Sequence, residues 1–288
     1  MLEVINSYRN NDTLRHSFNE LAGKTFGLNF EDWYQNGFWG DNYNPYSVVK
    51  DGRVVANVSV NRTDMMIDGT VRHFFQLGTV MTDETYQNQG LIRKIMEQID
   101  ADYSETADGF YLFGNDSVLD FYPKFGFRKS KEYLYSRNVH GTGKCQFEQI
   151  LMDSPARWRL LEDAMNRNVF HGRFDMVDNN ELILFYVTKF MQENVYFHKP
   201  TDTYIIAETE GNNLFLHNVF SSTLRETDEV IELFGNSIGK ITLGFVPKDI
   251  EEYKATDFHE EDCTFFIKGS IPEIIEQEKL RIPSLSHA

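Results

Sequence analysis

A short polar loop, residues 87–90, separates two segments whose apolar residues repeat with different periods. Before the loop, residues 74–80 are apolar, aromatic and β-branched, whereas after it Leu91, Ile95 and Ile99 fall on one face of a helix. A strand that enters a helix through such a loop points unpaired backbone N–H groups and the positive end of the helix dipole at one place. This arrangement can bind phosphate. The alternative is an ordinary strand-to-helix connection.

A second motif follows further along the chain. A strand ends at Gly114, and a short helical segment then leads into Phe-Tyr-Pro-Lys-Phe-Gly-Phe, residues 121–127. In this order, the loop with Gln87 and Gly90, then Asn115 and the Tyr122 motif, resemble the coenzyme-binding core of the GNAT N-acetyltransferases. The resemblance implies that acetyl-CoA, as cosubstrate, binds to Val80, Met81, Thr82, Gln87, Asn88, Gln89, Gly90, Leu91, Ile92 and Asn115.

The last position of the loop departs from the common GNAT pattern, because Ile92 stands where a Gly or Ala is usual. A side chain there keeps the backbone further from a pyrophosphate than a glycine would. The run Gly90-Leu91-Ile92 resembles the loop of the Eis-like acetyltransferases, which carry a second GNAT-like domain behind the first. They continue into a sterol-carrier-like third domain, which we expect this chain to lack.

Acyl transfer to an amine needs a polarised thioester carbonyl and an acid for the departing thiolate. The resemblance implies that backbone N–H groups of residues 80–82 polarise the carbonyl and that Tyr122 supplies the proton. An ordinary phenol has a pKa of about 10, which suits this task; the alternative for Tyr122 is a core aromatic. The general base stays open among Gln76, His73 and a water chain to Glu31 or Asp32.

Residues 29–43 are rich in aromatic and acidic side chains. In GNAT enzymes the segment in this position forms one wall of the acceptor cleft. Aromatic faces and carboxylates together suit a polyamine or an amino sugar, through cation–π and ionic contacts. The candidate substrate-binding residues are Glu31, Asp32, Trp33, Trp39 and Asp41. The alternative is that the rings close the end of the hydrophobic core.

Composition and charge narrow the class of protein. The 288 residues are 41% hydrophobic and include 24 Phe, which is ample for roughly two packed domains. No apolar run approaches the roughly 20 residues that span a bilayer, and the first residues lack the layout of a secretory signal, so we expect a soluble, cytoplasmic protein. Cys145 and Cys263 form no CxxC or Cys/His cluster, so neither a disulfide nor a metal site is expected.

The net charge of −16 argues against a nucleic-acid partner, since such binding depends on Lys and Arg. A cationic amine is the small-molecule partner that fits an acidic surface best. The alternative is that the acidity only keeps the protein soluble. The oligomeric state is left open, a homo-oligomer included.

The remaining pattern predicts an α+β fold in two parts. In residues 1–140, hairpin strands lead to the strand–loop–helix motif and a closing strand at 131–139, giving a mixed, mostly antiparallel GNAT sheet flanked by helices. Residues 141–288 repeat the order of elements, but the junction at 220–228 has no glycine. We therefore predict a degenerate second GNAT-like domain without a coenzyme loop, ending with a strand at 263–268 and a short tail.

Two points stay open at this level. The apolar run at 181–190 fits either a strand or a buried helix. The whole chain fits either an N-acetyltransferase or a non-catalytic binding or regulatory protein with the same fold. A dinucleotide-binding fold is disfavoured, because GxGxxG is absent and the strands before the loop form antiparallel hairpins.

Overall fold

The computed structural model describes residues 3–269 and 273–287. Within them, the helices are α1 Asp12–Phe26, α2 Glu31–Gln35, α3 Leu91–Tyr103, α4 Pro155–Asn166, α5 Asn180–Lys189, α6 Thr227–Phe234 and α7 Glu273–Gln277. The strands are β1 Val4–Ile5, β2 Tyr43–Lys50, β3 Arg53–Ile67, β4 Thr70–Thr82, β5 Gly109–Gly114, β6 Arg128–Lys129, β7 Glu132–Asn138, β8 Glu148–Ile150, β9 Phe174–Val177, β10 Val195–His198, β11 Thr203–Glu210, β12 Asn213–Ser221, β13 Lys240–Leu243, β14 Lys254–Phe258 and β15 Thr264–Lys268.

Two mostly antiparallel sheets carry the fold, which confirms the predicted α+β class. The first has the order β1-β2-β3-β4-β5-β15-β6, with β9 paired to β3; the second has the order β14-β7-β13-β12-β11-β10-β8. Each sheet contains one parallel pair, β4 with β5 in the first and β12 with β13 in the second. A large apolar core contains residues of both sheets, and a second core lies under α3.

Two strands lie in the sheet opposite to the one predicted. β7 was expected to close the first sheet, but it pairs with β13 and β14 in the second. β15 was expected to end the second sheet, but it pairs with β5 and β6 in the first. The physical reason is that an alternating or apolar run specifies a strand and its buried face, while its partner is chosen by tertiary packing. The division between the sheets therefore does not fall at residue 140.

The apolar run that fitted strand or helix forms the helix α5. Asn179 caps it by accepting a hydrogen bond of 3.2 Å from the N–H of Leu182. Leu182, Ile183 and Leu184 are consecutive and all buried, as in a helix with apolar neighbours on several sides. That environment explains why the run lacks a clear amphipathic period.

The helix α3 packs as its sequence period predicts. It buries Leu91, Ile95, Met96 and Ile99. Their partners in the second core include Phe110 of β5 and Phe266 of β15. This packing places the start of α3 beside the end of β4.

Candidate functional site

An open cleft of about 690 Å³ lies where β4 ends and α3 begins. The structure brings together there nine of the ten residues predicted to bind the coenzyme: Val80, Met81, Thr82, Gln87, Asn88, Gln89, Gly90, Leu91 and Ile92. Among the other residues around it are Thr25, Arg93, Ser117, Phe121, Lys124 and Phe125. The cleft is therefore bounded by three separate stretches of chain.

The start of α3 has the form of an anion site. Gly90 precedes the helix with a left-handed φ of 74° and makes no side-chain capping hydrogen bond. This φ favours glycine, and an added Cβ would meet nothing within 4 Å, because the space beside it is open. The first N–H groups of a helix have no partner inside the helix. At this end of α3 they can donate hydrogen bonds to a phosphate group.

The strands β4 and β5 separate as they approach the cleft. They pair in parallel only from Phe74↔Gly109 to Gln76↔Tyr111, although β4 continues to Thr82 and β5 to Gly114. Beyond that point the backbone of β4 lacks β5 as a hydrogen-bonding neighbour. An extended chain can enter the gap and reach the backbone groups of residues 80–82.

Two cations at the cleft were not predicted. The guanidinium of Arg93 lies 5.3 Å from the ring centroid of Phe125, and the ammonium of Lys124 lies 6.0 Å from that of Phe121. Both side chains suit a phosphate-bearing ligand. Arg93 could have been found from its position in the sequence. It stands three residues after Gly90, on the first turn of α3, and so faces the same side as the loop.

Comparison with known families identifies this part of the chain. Residues 10–130 match the family model described as an acetyltransferase (GNAT) domain. These residues form a GNAT acetyltransferase domain. The protein is an acyltransferase, and acetyl-CoA is its cosubstrate. The matched range contains the whole cleft.

Solved structures share the fold of both parts of the chain. A probable N-acyltransferase from Enterococcus faecalis is 11% identical, with a TM-score of 0.57 over 100% of this chain and 74% of that one. Eis1 from Mycobacterium abscessus is 12% identical, with a TM-score of 0.54 over 92% of this chain and 73% of that one. A GCN5-related N-acetyltransferase from Kribbella flavida is 15% identical, with a TM-score of 0.53 over 92% and 71%. No curated protein matches the sequence at a significant level.

In the GNAT domain, Tyr122 packs against Phe121 of the cleft wall and is not itself among the residues that line the cleft. It is 5% exposed, in edge contact with Phe121 and Phe127. Its ring also crowds Gly114, where an added Cβ would lie 2.9 Å from Cε2 of Tyr122. Burial raises the pKa of Tyr122 to about 12. The phenol therefore stays protonated at neutral pH, and it suits hydrogen-bond donation to a developing thiolate better than complete proton transfer.

Asn115, the tenth predicted coenzyme residue, builds the turn after β5 instead of lining the cleft. Its side-chain oxygen accepts hydrogen bonds from the backbone N–H of Ser117 at 3.2 Å and from the Ser117 hydroxyl at 2.6 Å. Ser117 itself lies at the cleft. Asn115 thus fixes the backbone conformation of the cleft wall but does not form part of the cleft surface.

The two tryptophans predicted at the acceptor site are core residues of the GNAT domain. Trp33 and Trp39 are each 4% exposed. The indole N–H of Trp33 donates to the carbonyl of Glu181 at 2.9 Å, and that of Trp39 donates to the carbonyl of Tyr43 at 3.0 Å. The two indoles stack on each other, Phe30 packs against Trp39 at a tilt, and Phe185 makes an edge contact with Trp33, so neither ring is presented to a ligand.

The three carboxylates predicted beside them are each paired with a cation of the same chain. Glu31 accepts two hydrogen bonds from Arg15, at 3.0 and 3.2 Å, and this contact lowers the pKa of Glu31. Asp32 lies 2.9 Å from the Lys189 ammonium, and Asp41 lies 2.7 Å from Arg9. None of these five predicted acceptor residues lines the cleft.

The candidate general bases lie away from the cleft as well. Gln76 is fully buried in β4. His73 lies toward the opposite end of β4, and its Nδ1 is 2.9 Å from Oδ1 of Asp64. The structure therefore leaves the base unassigned among the residues it describes.

The second sheet has its own strand-to-helix junction, at α6. A capping box between Glu226 and Glu229 closes the start of that helix. Acidic side chains line the neighbouring pocket of about 390 Å³, among them Glu226, Asp228, Asp249 and Glu252. In the described residues no group of His, Cys, Asp and Glu is arranged to hold a metal ion, and no helix combines the length and apolar character needed to cross a membrane.

Proposed function

We propose that the protein transfers the acetyl group of acetyl-CoA to a primary amine of a small, cationic acceptor. The observation that carries the proposal is the single cleft that joins the uncapped start of α3 to the separated strands β4 and β5. The helix start suits the pyrophosphate, and the gap between the strands suits the extended arm that ends in the thioester. Both features lie in the matched GNAT acetyltransferase domain.

In this proposal the residues of the chain share the chemistry as follows. The N–H groups of residues 87–92 and the cations Arg93 and Lys124 hold the phosphates. Backbone N–H groups of residues 80–82 stabilise negative charge on the thioester oxygen as the amine attacks. Tyr122 donates a hydrogen bond to the departing sulfur, which its raised pKa of about 12 permits throughout the neutral range.

The proposal that the acceptor is cationic rests on the net charge of the protein. The chain carries a net charge of −16, which raises the local concentration of polycations such as polyamines and aminoglycosides. The aromatic and acidic wall predicted at residues 29–43 does not add support, because its rings are buried and its carboxylates are paired. A place among the Eis-like enzymes and a location in the cytoplasm belong to the same proposal.

Amine-dependent release of coenzyme A from acetyl-CoA tests the proposal. Polyamines, aminoglycosides and neutral amines should be compared with the whole chain, because a cut at residue 140 would take β9 and β15 from the first sheet and β7 from the second. We expect the KM for cationic acceptors to rise with salt, because salt screens the attraction between the acidic protein and the free cation. The Debye length, over which this attraction decays, is about 10 Å at 0.1 M salt. If none of these amines causes release of coenzyme A, the result would favour a non-catalytic binding protein. Preference for neutral or anionic acceptors would show that the acceptor class is wrong.

A further inference from the structure

We infer that Asn57 is a positioning residue for acetyl transfer: through the carbonyl of Thr79 it fixes the bulge in β4 that turns the N–H of Val80 toward the gap between β4 and β5. The inference rests on the proposed function, because it assigns a task to residues behind the same cleft. It starts from an irregularity of β4 and from the buried side chains that face it.

The irregularity is a β-bulge at residues 79–80. The register of β3 against β4 passes from Asn57↔Met81 to Ser59↔Gly78, so Val58 alone faces two residues of β4. Thr79 takes a φ of 47° there, a conformation that β-branched residues rarely adopt. Such a residue keeps this conformation only when its surroundings hold it.

A buried hydrogen-bond network holds Thr79 in place. The side chain of Asn57, which is fully buried, donates from Nδ2 to the Thr79 carbonyl at 2.9 Å and to Oγ of Ser59 at 3.0 Å. Its Oδ1 accepts from the hydroxyl of Ser47 at 2.8 Å. Independently, the hydroxyls of Tyr43 and Thr79 lie 2.7 Å apart. Asn57 therefore has a partner for every hydrogen of its amide group.

The network also fixes which way the amide of Asn57 faces. Because the Ser47 hydrogen goes to Asn57, the Tyr8 hydroxyl, 2.6 Å from Oγ of Ser47, is the donor in that contact. The chain Tyr8, Ser47, Asn57 then ends with an N–H directed at the carbonyl of Thr79. An exchanged amide would place an oxygen against that carbonyl.

The link to the cleft follows from the geometry of one peptide group. In a trans peptide the C=O and the following N–H point in opposite directions. With the Thr79 carbonyl tied to Asn57 on β3, the N–H of Val80 points away from β3. Val80 lies at the cleft, where β4 and β5 have separated. Asn57 thus sets the direction of a donor that the thioester oxygen needs, without touching the substrate.

The test is Asn57→Asp, which keeps the shape of the side chain and removes the donor to Thr79. We expect kcat to fall about 100-fold, the cost of a displacement of about 1 Å at a reacting centre. The dissociation constant of coenzyme A, which has no acetyl carbonyl, should stay unchanged, while the affinity for acetyl-CoA falls toward it. Asn61→Asp is the matched control, because Asn61 is also buried on β3, and its Oδ1 accepts a hydrogen bond from Asn179 while its side chain makes no contact with the bulge.

Each outcome decides the inference. Normal kcat in Asn57→Asp, or equal losses of affinity for acetyl-CoA and coenzyme A, would overturn it, the second because it indicates a collapsed cleft. If the buried carboxylate leaves the variant without a cooperative unfolding transition, Asn57→Ala replaces it, because it removes the same donor to the Thr79 carbonyl without adding a charge, and normal kcat in Asn57→Ala would then be the contrary result. Failure of the proposed function is recognised separately, as absence of amine acetylation by the unaltered chain, whereas the ratio of the two coenzyme affinities needs no acceptor.

Discussion

The carboxylate of Glu229 accepts a hydrogen bond of 3.0 Å from the backbone N–H of Glu226 at the start of α6. It accepts another of 2.7 Å from the N–H of Arg225. A carboxylate of the chain thus occupies the position in the second sheet where a bound anion would lie. At the start of α3 Gly90 offers no such group. This contrast supports the prediction that only the first strand-to-helix junction binds coenzyme.

The role of Tyr122 can be separated from its packing with Tyr122→Phe. If its hydroxyl donates a hydrogen bond to the departing thiolate, we expect turnover to fall by roughly two to three orders of magnitude, the usual cost of removing one such donor. Coenzyme affinity should change little, because the ring still packs against Gly114. Single-turnover rates measure the effect on chemistry. Near-normal rates would assign Tyr122 to the core alone.

The core position of Trp39 predicts a loss of stability without a loss of substrate affinity. Trp39→Leu should lower the free energy of unfolding by about 2 to 3 kcal/mol, through lost burial and a partly filled cavity. Denaturant unfolding and the acceptor KM are the two measurements. Asp32→Asn serves as control, because its exposed ion pair with Lys189 is worth at most about 1 kcal/mol. A raised KM with unchanged stability in Trp39→Leu would support the predicted acceptor role instead.

A buried carboxyl outside the cleft predicts a pH dependence of stability. Glu132 of β7 is 4% exposed and accepts a hydrogen bond of 3.0 Å from the N–H of Ile282. Burial raises its pKa from 4.5 to about 7. Between pH 4.5 and pH 7 the Glu132 carboxyl is ionised in the unfolded chain but still protonated in the folded one. Its contribution to the free energy of unfolding is therefore complete below pH 4.5 and is lost as the pH rises through 7.

Glu132→Gln removes this titration. Relative to the unaltered chain, we expect the variant to gain about 3 kcal/mol of unfolding free energy between pH 4.5 and pH 8, from 1.36 kcal/mol per pKa unit. His217 has a pKa lowered by burial, and its loss of stability toward acid cancels in the difference because it is present in both proteins. His287 also has a pKa lowered by burial, but its Nε2 lies 3.9 Å from Oε1 of Glu132 and does not cancel, so the comparison is made with His287→Gln in both proteins. Parallel stability curves would show that Glu132 titrates normally.

The sequence was most informative where structure is local. The change of period around Gly90 depends on neighbours in the chain, so the strand, loop and helix of the cleft were predictable. Which sheet β7 and β15 belong to depends on contacts between distant segments of the chain, and the hydrophobic period of a strand does not encode such contacts. Trp33 and Trp39 show a third limit: an aromatic residue has the same sequence signal in a core and in a binding wall. Asn57 gave no signal, because its importance depends on the bulge at Thr79.

The central claim is that acetyl-CoA binds at residues 87–92, with its phosphates on the N–H groups at the start of α3. Gly90→Asp tests it by placing a carboxylate at that helix end, in the manner of Glu229 at α6. Gly52→Asp is the matched control, since Gly52 has a φ of 75° against 74° for Gly90, and an added Cβ meets nothing within 4 Å at either position. The control therefore carries the same backbone strain in the β2–β3 turn, away from the cleft.

Calorimetric titration of acetyl-CoA into the variants of the whole 288-residue chain is the decisive measurement. We predict that the unaltered chain and Gly52→Asp bind with the same affinity, and that Gly90→Asp shows no binding while its unfolding transition remains cooperative. Equal acetyl-CoA affinity in Gly90→Asp and Gly52→Asp would contradict the assignment of this cleft as the coenzyme site.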